Sequence, residues 1–307
     1  MKLYFASGFV YLKDINIERK LFDWGVRNRL YSYSLLSRVA YKNTIETVLD
    51  QGIYSVMVDS GAFSLANSGF FVDIKKYAEW LFLVRDKLEC YINLDVVPNS
   101  TKSFSVCAEE GWDNLMYLES VGLKPLPVYR VGEPIKFLDK ILDKYEYFCL
   151  SKTAGDLGVN KILGLDGAWQ RILDYGFPVK KVHGLAMTSK LLMTRYPWYS
   201  VDSSTWGKTG IYGQILVDRK DKNSGSVFSL SKHSPKRRQS NHYDNLSKEE
   251  QLEIEKLALG IDFKSMLDSD SVSLYLDLLN VKYFLSLEKR CNEAGNKARL
   301  QQVFLEE

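Results

Sequence analysis

The sequence predicts an α/β fold whose parallel strands and helical crossovers close into a (β/α)8 barrel. Short apolar runs alternate with amphipathic stretches about seven times over the first two thirds of the chain, the signature of repeated βα units. No G-x-G-x-x-G follows the first apolar run, and the number of units is high for an open doubly wound sheet. The length of 307 residues suits one large barrel and its additions, although it also allows two ordinary domains.

The elements follow in order. Strands are expected at Leu3 to Ser7, Ser55 to Val58, Tyr91 to Val96, Leu126 to Val131, Tyr147 to Leu150, Lys181 to Leu185 and Tyr199 to Val201. Between them the helical patterns are "SYSLLSRVAY", "VDIKKYAEWLFLVRDKL", "SFSVCAEEGWDNLMYLESVG", "PIKFLDKILDKY", "VNKILGLDGAWQRILDYG" and "SKLLMTRY". The eighth unit is less distinct. "GQILVDRKDKNSGSVFSLSK" reads as a hairpin inserted near the closure, and "SVSLYLDLLNVKYFLSLEKRCNEAG" as a last helix. The expected organisation is a single domain over 1–307, with a hairpin and basic loop at 213–245 and a helical part at 246–307.

Composition narrows the function classes. A net charge of +3 excludes a polybasic tail protein, so any nucleic-acid contact must come from local clustering. One cluster exists, "SKHSPKRRQSNHY", in which Lys232, Lys236, Arg237 and Arg238 are either phosphate ligands or a solvated loop. The 4 cysteines, at 90, 107, 149 and 291, form no C-x-x-C pair, which argues against a zinc knuckle or a disulfide framework. No stretch approaches the roughly 20 apolar residues that span a bilayer, and the first apolar run is too short for a signal peptide. The cytoplasm is the expected compartment.

Chemistry concentrates at the strand ends. The stretch "YSVMVDSGAFS" carries a buried-strand pattern into a carboxylate, Asp59, which needs a reason because an unpaired carboxylate at a core edge is costly. The C-terminal ends of barrel strands build the active site, and collecting them gives Asp59 and Ser60, Asp95, Arg130 to Glu133, Lys152, His183 and Asp202. Taken singly, each aspartate can be a helix cap or turn former. Three at one level repel unless their protonation is divided. One can then act as nucleophile, one as acid and base, and one as hydrogen-bond acceptor, a set suited to substitution at a sugar carbon.

At these residues the chain resembles the tRNA-guanine transglycosylases, (β/α)8 enzymes that exchange guanine for a 7-deazaguanine. "VDSGAF" is similar to that family's D-S-G-G-[FY], and "HGLAMTSKLL" followed by "YSVDSSTWGK" to its M-G-V-G-T-x-x-D-L-L and F-D-C-V-x-P-T-R, at nearly the same separation. The resemblance covers about residues 56–208. It implies that Asp202 is the nucleophile at C1′, that Asp59 is the general acid/base, and that Asp95 accepts hydrogen bonds from the guanine N1 and amine. Phe63 and His183 take the two positions that sandwich the base, the second usually Met in the family. Ser60 and Gly184 belong to the same base-binding set, and Lys208 stands where the family has an Arg near the phosphates.

The departures are equally informative. The family's C-x-C-x-x-C and later His are missing, so no zinc and no other cofactor is expected. The Gln after the fourth expected strand is replaced within "YRVGE", leaving its contact to Arg130, to Val131 or to neither, and "SKT" replaces G-G-L, so that Lys152 can enter the pocket. The short chain without zinc cysteines looks most like the DNA-modifying branch, the DNA-guanine transglycosylases. The implied partners are DNA and a free 7-deazaguanine base, with no membrane; the oligomeric state is open. Such an enzyme must extrude its base and hold it between flat side chains. Trp198 and Trp206 are either further stacking platforms or barrel packing. A tRNA enzyme without the zinc site, a Schiff-base enzyme using Lys152, and a non-catalytic partner subunit are the alternatives.

Overall fold

Period-two alternation decides which side chains of each strand face inward. The computed structural model describes residues 1–6, 14–65, 71–98, 101–152, 161–176, 180–218, 226–231, 239–257 and 272–304. Strands β1 (Lys2–Ala6), β2 (Asn28–Ser32), β3 (Ser55–Asp59), β4 (Cys90–Tyr91), β5 (Val128–Arg130), β6 (Tyr147–Ser151), β7 (Lys181–Leu185) and β8 (Ser200–Ser203) form one sheet. Its eight strands run in the order β4-β3-β2-β1-β8-β7-β6-β5, and every pairing is parallel. The sheet curls into a half-barrel flanked by helices. Its edge strands β4 and β5 share no ladder; an isolated parallel bridge between Ile92 and Leu126 spans that gap. There the Leu126 N–H donates to Tyr91 O at 2.8 Å and the Asn93 N–H to Leu126 O at 2.9 Å.

Inside the curl, Tyr4, Ala6, Leu30, Met57, Ile92, Leu126 and Cys149 pack together. Their neighbours along the strands, among them Leu3, Phe5, Val56, Val58, Phe148, Leu150 and Val182, join a larger core with the helices. Those helices are α1 (Ile15–Asp23), α2 (Val39–Gln51), α3 (Ala62–Leu65), α4 (Ile74–Val84), α5 (Phe104–Ser120), α6 (Ile135–Lys144), α7 (Lys161–Asp174), α8 (Lys190–Arg195) and α9 (Thr205–Ile211). Side-chain N-caps come from Asp14, Asp73, Ser103 and Ser189, which satisfy first-turn N–H groups.

The expected hairpin is present as antiparallel β9 (Gln214–Val217) and β10 (Ser226–Ser229). With α10 (Lys248–Leu257) and α11 (Val272–Phe304) it shares a second core of Ile215, Val217, Phe228, Leu230, Ile254, Leu276 and Leu279. Helix α11 bends at Gly295, whose φ of 71° breaks the helical path.

The structure corrects the element order in one place. Residues 28–32, given no strand from the sequence, form β2, so the strand ending in Asp59 is third and not second. Arg29 hid it: its side chain is fully buried, and a charged residue in a buried outward position spoils the alternation that marks a strand. Glu18 of α1 makes that burial possible through two hydrogen bonds, from Arg29 Nε at 3.0 Å and Nη2 at 2.8 Å. The pattern "SYSLLSRVAY" is likewise not one helix. A 3-10 turn at Tyr33–Ser37 precedes α2, which begins only at Val39.

Candidate active site

Parallel register gathers the chemistry at one end of the sheet. Ser32 pairs with Asp59, Arg130 with Ser151, Ser151 with Leu185, and Asp202 with Tyr4. Asp59, Arg130, Ser151 and Asp202 each lie two residues beyond an inward-facing position, so all point inward at the C-terminal ends of their strands. This is the level at which barrel enzymes build their sites.

Asp59 closes β3 against the next turn. Ser32 and the Gly61 N–H hydrogen bond to its carboxylate, while among the described residues Oδ1 is buried with no hydrogen-bond partner. Burial raises its pKa to about 7; the Ser32 hydrogen bond pulls it back, and the charges of Asp202 and Asp95 push it further up. Glycine at 61 is a physical requirement. Its φ is +78°, and a Cβ there would lie 2.1 Å from Ser34 Oγ and 2.2 Å from Ser32 Oγ. The Ser-Gly pair that follows the carboxylate therefore lets the Ser32 hydroxyl reach Asp59. Ser60 is buried, with its hydroxyl taking the Ala62 N–H at 3.3 Å, whereas Phe63 on α3 is 64% exposed.

Asp202 on β8 is nearly buried. Its Oδ1 accepts the Ala186 N–H at 2.8 Å and faces His183 Nε2 at 3.4 Å, while Oδ2 has no hydrogen bond among the described residues. Ala186 reaches this position with a φ of 54°, a conformation that costs energy for a residue with a Cβ and that clusters at functional sites. Lys152 Nζ donates to the Ala186 carbonyl at 3.4 Å, so it lies at the rim of the same turn.

Asp95 is not on a strand: β4 ends at Tyr91, and residues 93–98 carry no regular structure. Side-chain bonds fix its loop instead, from Asn93 Nδ2 to Gly111 O at 2.8 Å and from Asn114 Nδ2 to Leu94 O at 2.9 Å. Arg130 Nη2 donates to Asp95 Oδ2 at 2.5 Å, and Arg130 Nη1 to Ser151 Oγ at 2.9 Å. Glu133, beside them, accepts the Arg130 N–H at 3.0 Å; burial raises its carboxyl to about 7 against the pull of Arg130. A pocket of about 250 Å³ opens next to Asp95, lined by Ala62, Leu65, Phe71, Leu94, Lys102 and Asn114. Asp59 and Asp202 do not line it.

Comparison with family models and with curated proteins found no match.

The structure departs from several expected roles. His183 is fully buried, edge-on to Tyr4 with ring centroids 5.9 Å apart, and has no free face with which to sandwich a base. Val131 is core, and its N–H is held by Ser151 O at 2.9 Å, so it cannot replace the missing Gln. Arg130 is engaged with Asp95 and Ser151. Gly184 faces the helices, where a Cβ would meet Met187 at 2.8 Å and Trp198 at 3.0 Å. Trp198 and Trp206 are buried, the first against Trp169 and Tyr196, the second donating to Ala6 O at 3.0 Å. Lys208 is exposed on α9.

Lys232, Lys236, Arg237 and Arg238 lie outside the described residues. Among the described residues no group of His, Cys, Asp and Glu is arranged to hold a metal ion, and no helix is long and apolar enough to cross a membrane. Sequence reasoning missed Ser32, Ala186, Ser200 and Tyr147, and it collected Glu133 at a strand end without giving it a role. None carries a motif of its own; each matters through a neighbour on another strand.

Proposed function

We propose that the protein is a DNA-guanine transglycosylase that exchanges guanine for a 7-deazaguanine through a covalent bond between Asp202 and C1′. The observation that carries this reading is the unequal environment of the aspartates at one end of the sheet. Burial raises the Asp59 pKa to about 7, whereas Asp202 has one oxygen bound by a backbone N–H and the other without a hydrogen bond among the described residues.

In the first step Asp202 Oδ2 forms a bond to C1′ as the C1′–N9 bond breaks. The electron pair leaves with guanine, which takes the Asp59 proton. In the second step the incoming base returns a proton to Asp59, its N9 bonds to C1′, and Asp202 departs as a carboxylate. Asp95, with its other oxygen on Arg130, offers Oδ1 to the base N–H groups. The adjoining pocket of about 250 Å³ has room for a purine-sized ring, and Phe63, next to the pocket-lining Ala62 in sequence, has an exposed flat face. The Ile92–Leu126 bridge supports reading the curled sheet as a closed (β/α)8 barrel. DNA is preferred to tRNA because these 307 residues carry no C-x-C-x-x-C zinc cysteines, and a cytoplasmic site of action fits both substrates.

The test is incorporation of labelled guanine, 7-cyano-7-deazaguanine and its aminomethyl relative into DNA and tRNA, with Asp202→Ala as blank. Label in DNA alone, absent with the variant, is the expected result. Label in tRNA alone keeps the chemistry and overturns the substrate. Failure in both, from folded protein, overturns the reading, and borohydride trapping at Lys152 would then point to Schiff-base chemistry.

A further inference from the structure

Behind Asp202 a line of polar side chains runs into the apolar interior of the sheet. Tyr147 OH lies 2.7 Å from Ser200 Oγ, which lies 2.7 Å from His183 Nδ1; on the far side of the ring, Nε2 is 3.4 Å from Asp202 Oδ1. His183 and Ser200 are fully buried, and among the described residues His183 Nε2 has no hydrogen-bond partner. A buried donor is costly to leave unmet, and the acceptor facing this atom among the described residues is the carboxylate.

One assignment of donors and acceptors satisfies the whole line. A carboxylate only accepts, so the nitrogen facing it carries the proton. With a proton on Nε2 alone, Nδ1 accepts from the Ser200 hydroxyl, and Ser200 Oγ in turn accepts from Tyr147 OH. Each proton in the line points toward Asp202. The edge-on Tyr4 ring, inclined at 77°, fixes the imidazole plane.

We infer that His183, aligned by Tyr147 and Ser200, is a positioning residue that donates Nε2–H to Asp202 Oδ1 and governs release of the covalent adduct, not contact with the base. This rests on the transglycosylase reading. When the incoming N9 bonds to C1′ and the C1′–Oδ2 bond breaks, the electron pair stays on Asp202. Its charge spreads to Oδ1, where the Ala186 N–H and His183 Nε2–H meet it, and the 3.4 Å contact shortens as that charge develops. With Oδ1 held, Oδ2 remains directed at the sugar.

The test pairs His183→Met, which removes the donor, with His183→Gln, whose amide N–H can take the place of Nε2–H. Read by single-turnover exchange, the Met variant is expected to keep the KM for the free base within about twofold and lengthen the adduct lifetime by about tenfold or more, the loss expected for a charge-assisted hydrogen bond. The Gln variant is expected to recover most of it. A raised base KM with an unchanged adduct lifetime, or Gln no better than Met, overturns the proposal. Nitrogen-15 spectra of the wild-type protein, with 3 histidines to assign, decide the contact without any activity. The Nε2–H tautomer is expected, and an Nδ1–H tautomer overturns the proposal. A wild-type protein that forms no adduct but shows the Nε2–H tautomer would sink the transglycosylase reading while leaving the His183–Asp202 contact in place.

Discussion

Arg130 Nη2 donates to Asp95 Oδ2 at 2.5 Å, and this ion pair joins the end of β5 to the loop beyond β4, across the gap where the sheet has only one bridge. Arg130 is buried and Asp95 largely so, hence each supplies the charge that makes the other tolerable.

Removing either partner should therefore destabilise the fold as well as disturb base recognition. Asp95→Ala and Arg130→Ala are each expected to cost on the order of 3 kcal/mol, because a buried charge is left unpaired. The double variant should lose less than the sum, and urea denaturation of the four proteins measures that coupling. Additive losses would show that the pair is not a unit.

In the proposed transglycosylase chemistry Asp59 sets the pH dependence. Its pKa, raised to about 7 by burial, lies well above its ordinary 3.8 and makes it a proton donor at neutral pH. Adduct formation needs the protonated acid, so its rate should be level below about pH 7 and fall about tenfold per unit above it. Asp59→Asn should flatten that profile at a much lower rate. Single-turnover trapping between pH 5 and 9 decides; a rate that instead rose through pH 7 would assign Asp59 as the base of this step.

Asp277 bears on the packing of α9, which follows Asp202. Among the described residues both of its carboxylate oxygens are buried without a hydrogen-bond partner, and Oδ1 lies 1.8 Å from where a Cβ on Gly210 would be. Burial raises its pKa to about 8. Below about pH 4 the carboxyl is neutral in both folded and unfolded chains. As pH rises toward 8 the unfolded chain ionises first, and stability drains away until the folded carboxyl also ionises. Asp277→Asn removes that dependence. Its melting temperature relative to the parent should climb from pH 5 to pH 8, and thermal denaturation at the two values tests this.

The strands that alternate apolar and small side chains were legible, as were most helices and the hairpin, because one buried face leaves a period in the sequence. β2 was not, since Arg29 needs Glu18, from a different element, to be buried at all. Asp59 and Asp202 were legible as carboxylates where apolar runs end. Asp95 was legible as a residue type, but its partner Arg130 was read as a base contact. His183 was placed against the base because a sequence does not show the depth at which a side chain sits.

By itself the sequence determined the parallel α/β class, the positions at which carboxylates interrupt buried strands, and the Ser-Gly turn after Asp59. Those features depend on local periodicity and on the backbone freedom of single residues. Only the tertiary structure decided which groups meet: Ser32 with Asp59, Arg130 with Asp95, and Ala186 and His183 with Asp202. These partners sit on different strands or loops, and the register of a parallel sheet sets the few ångströms on which hydrogen bonding and desolvation depend.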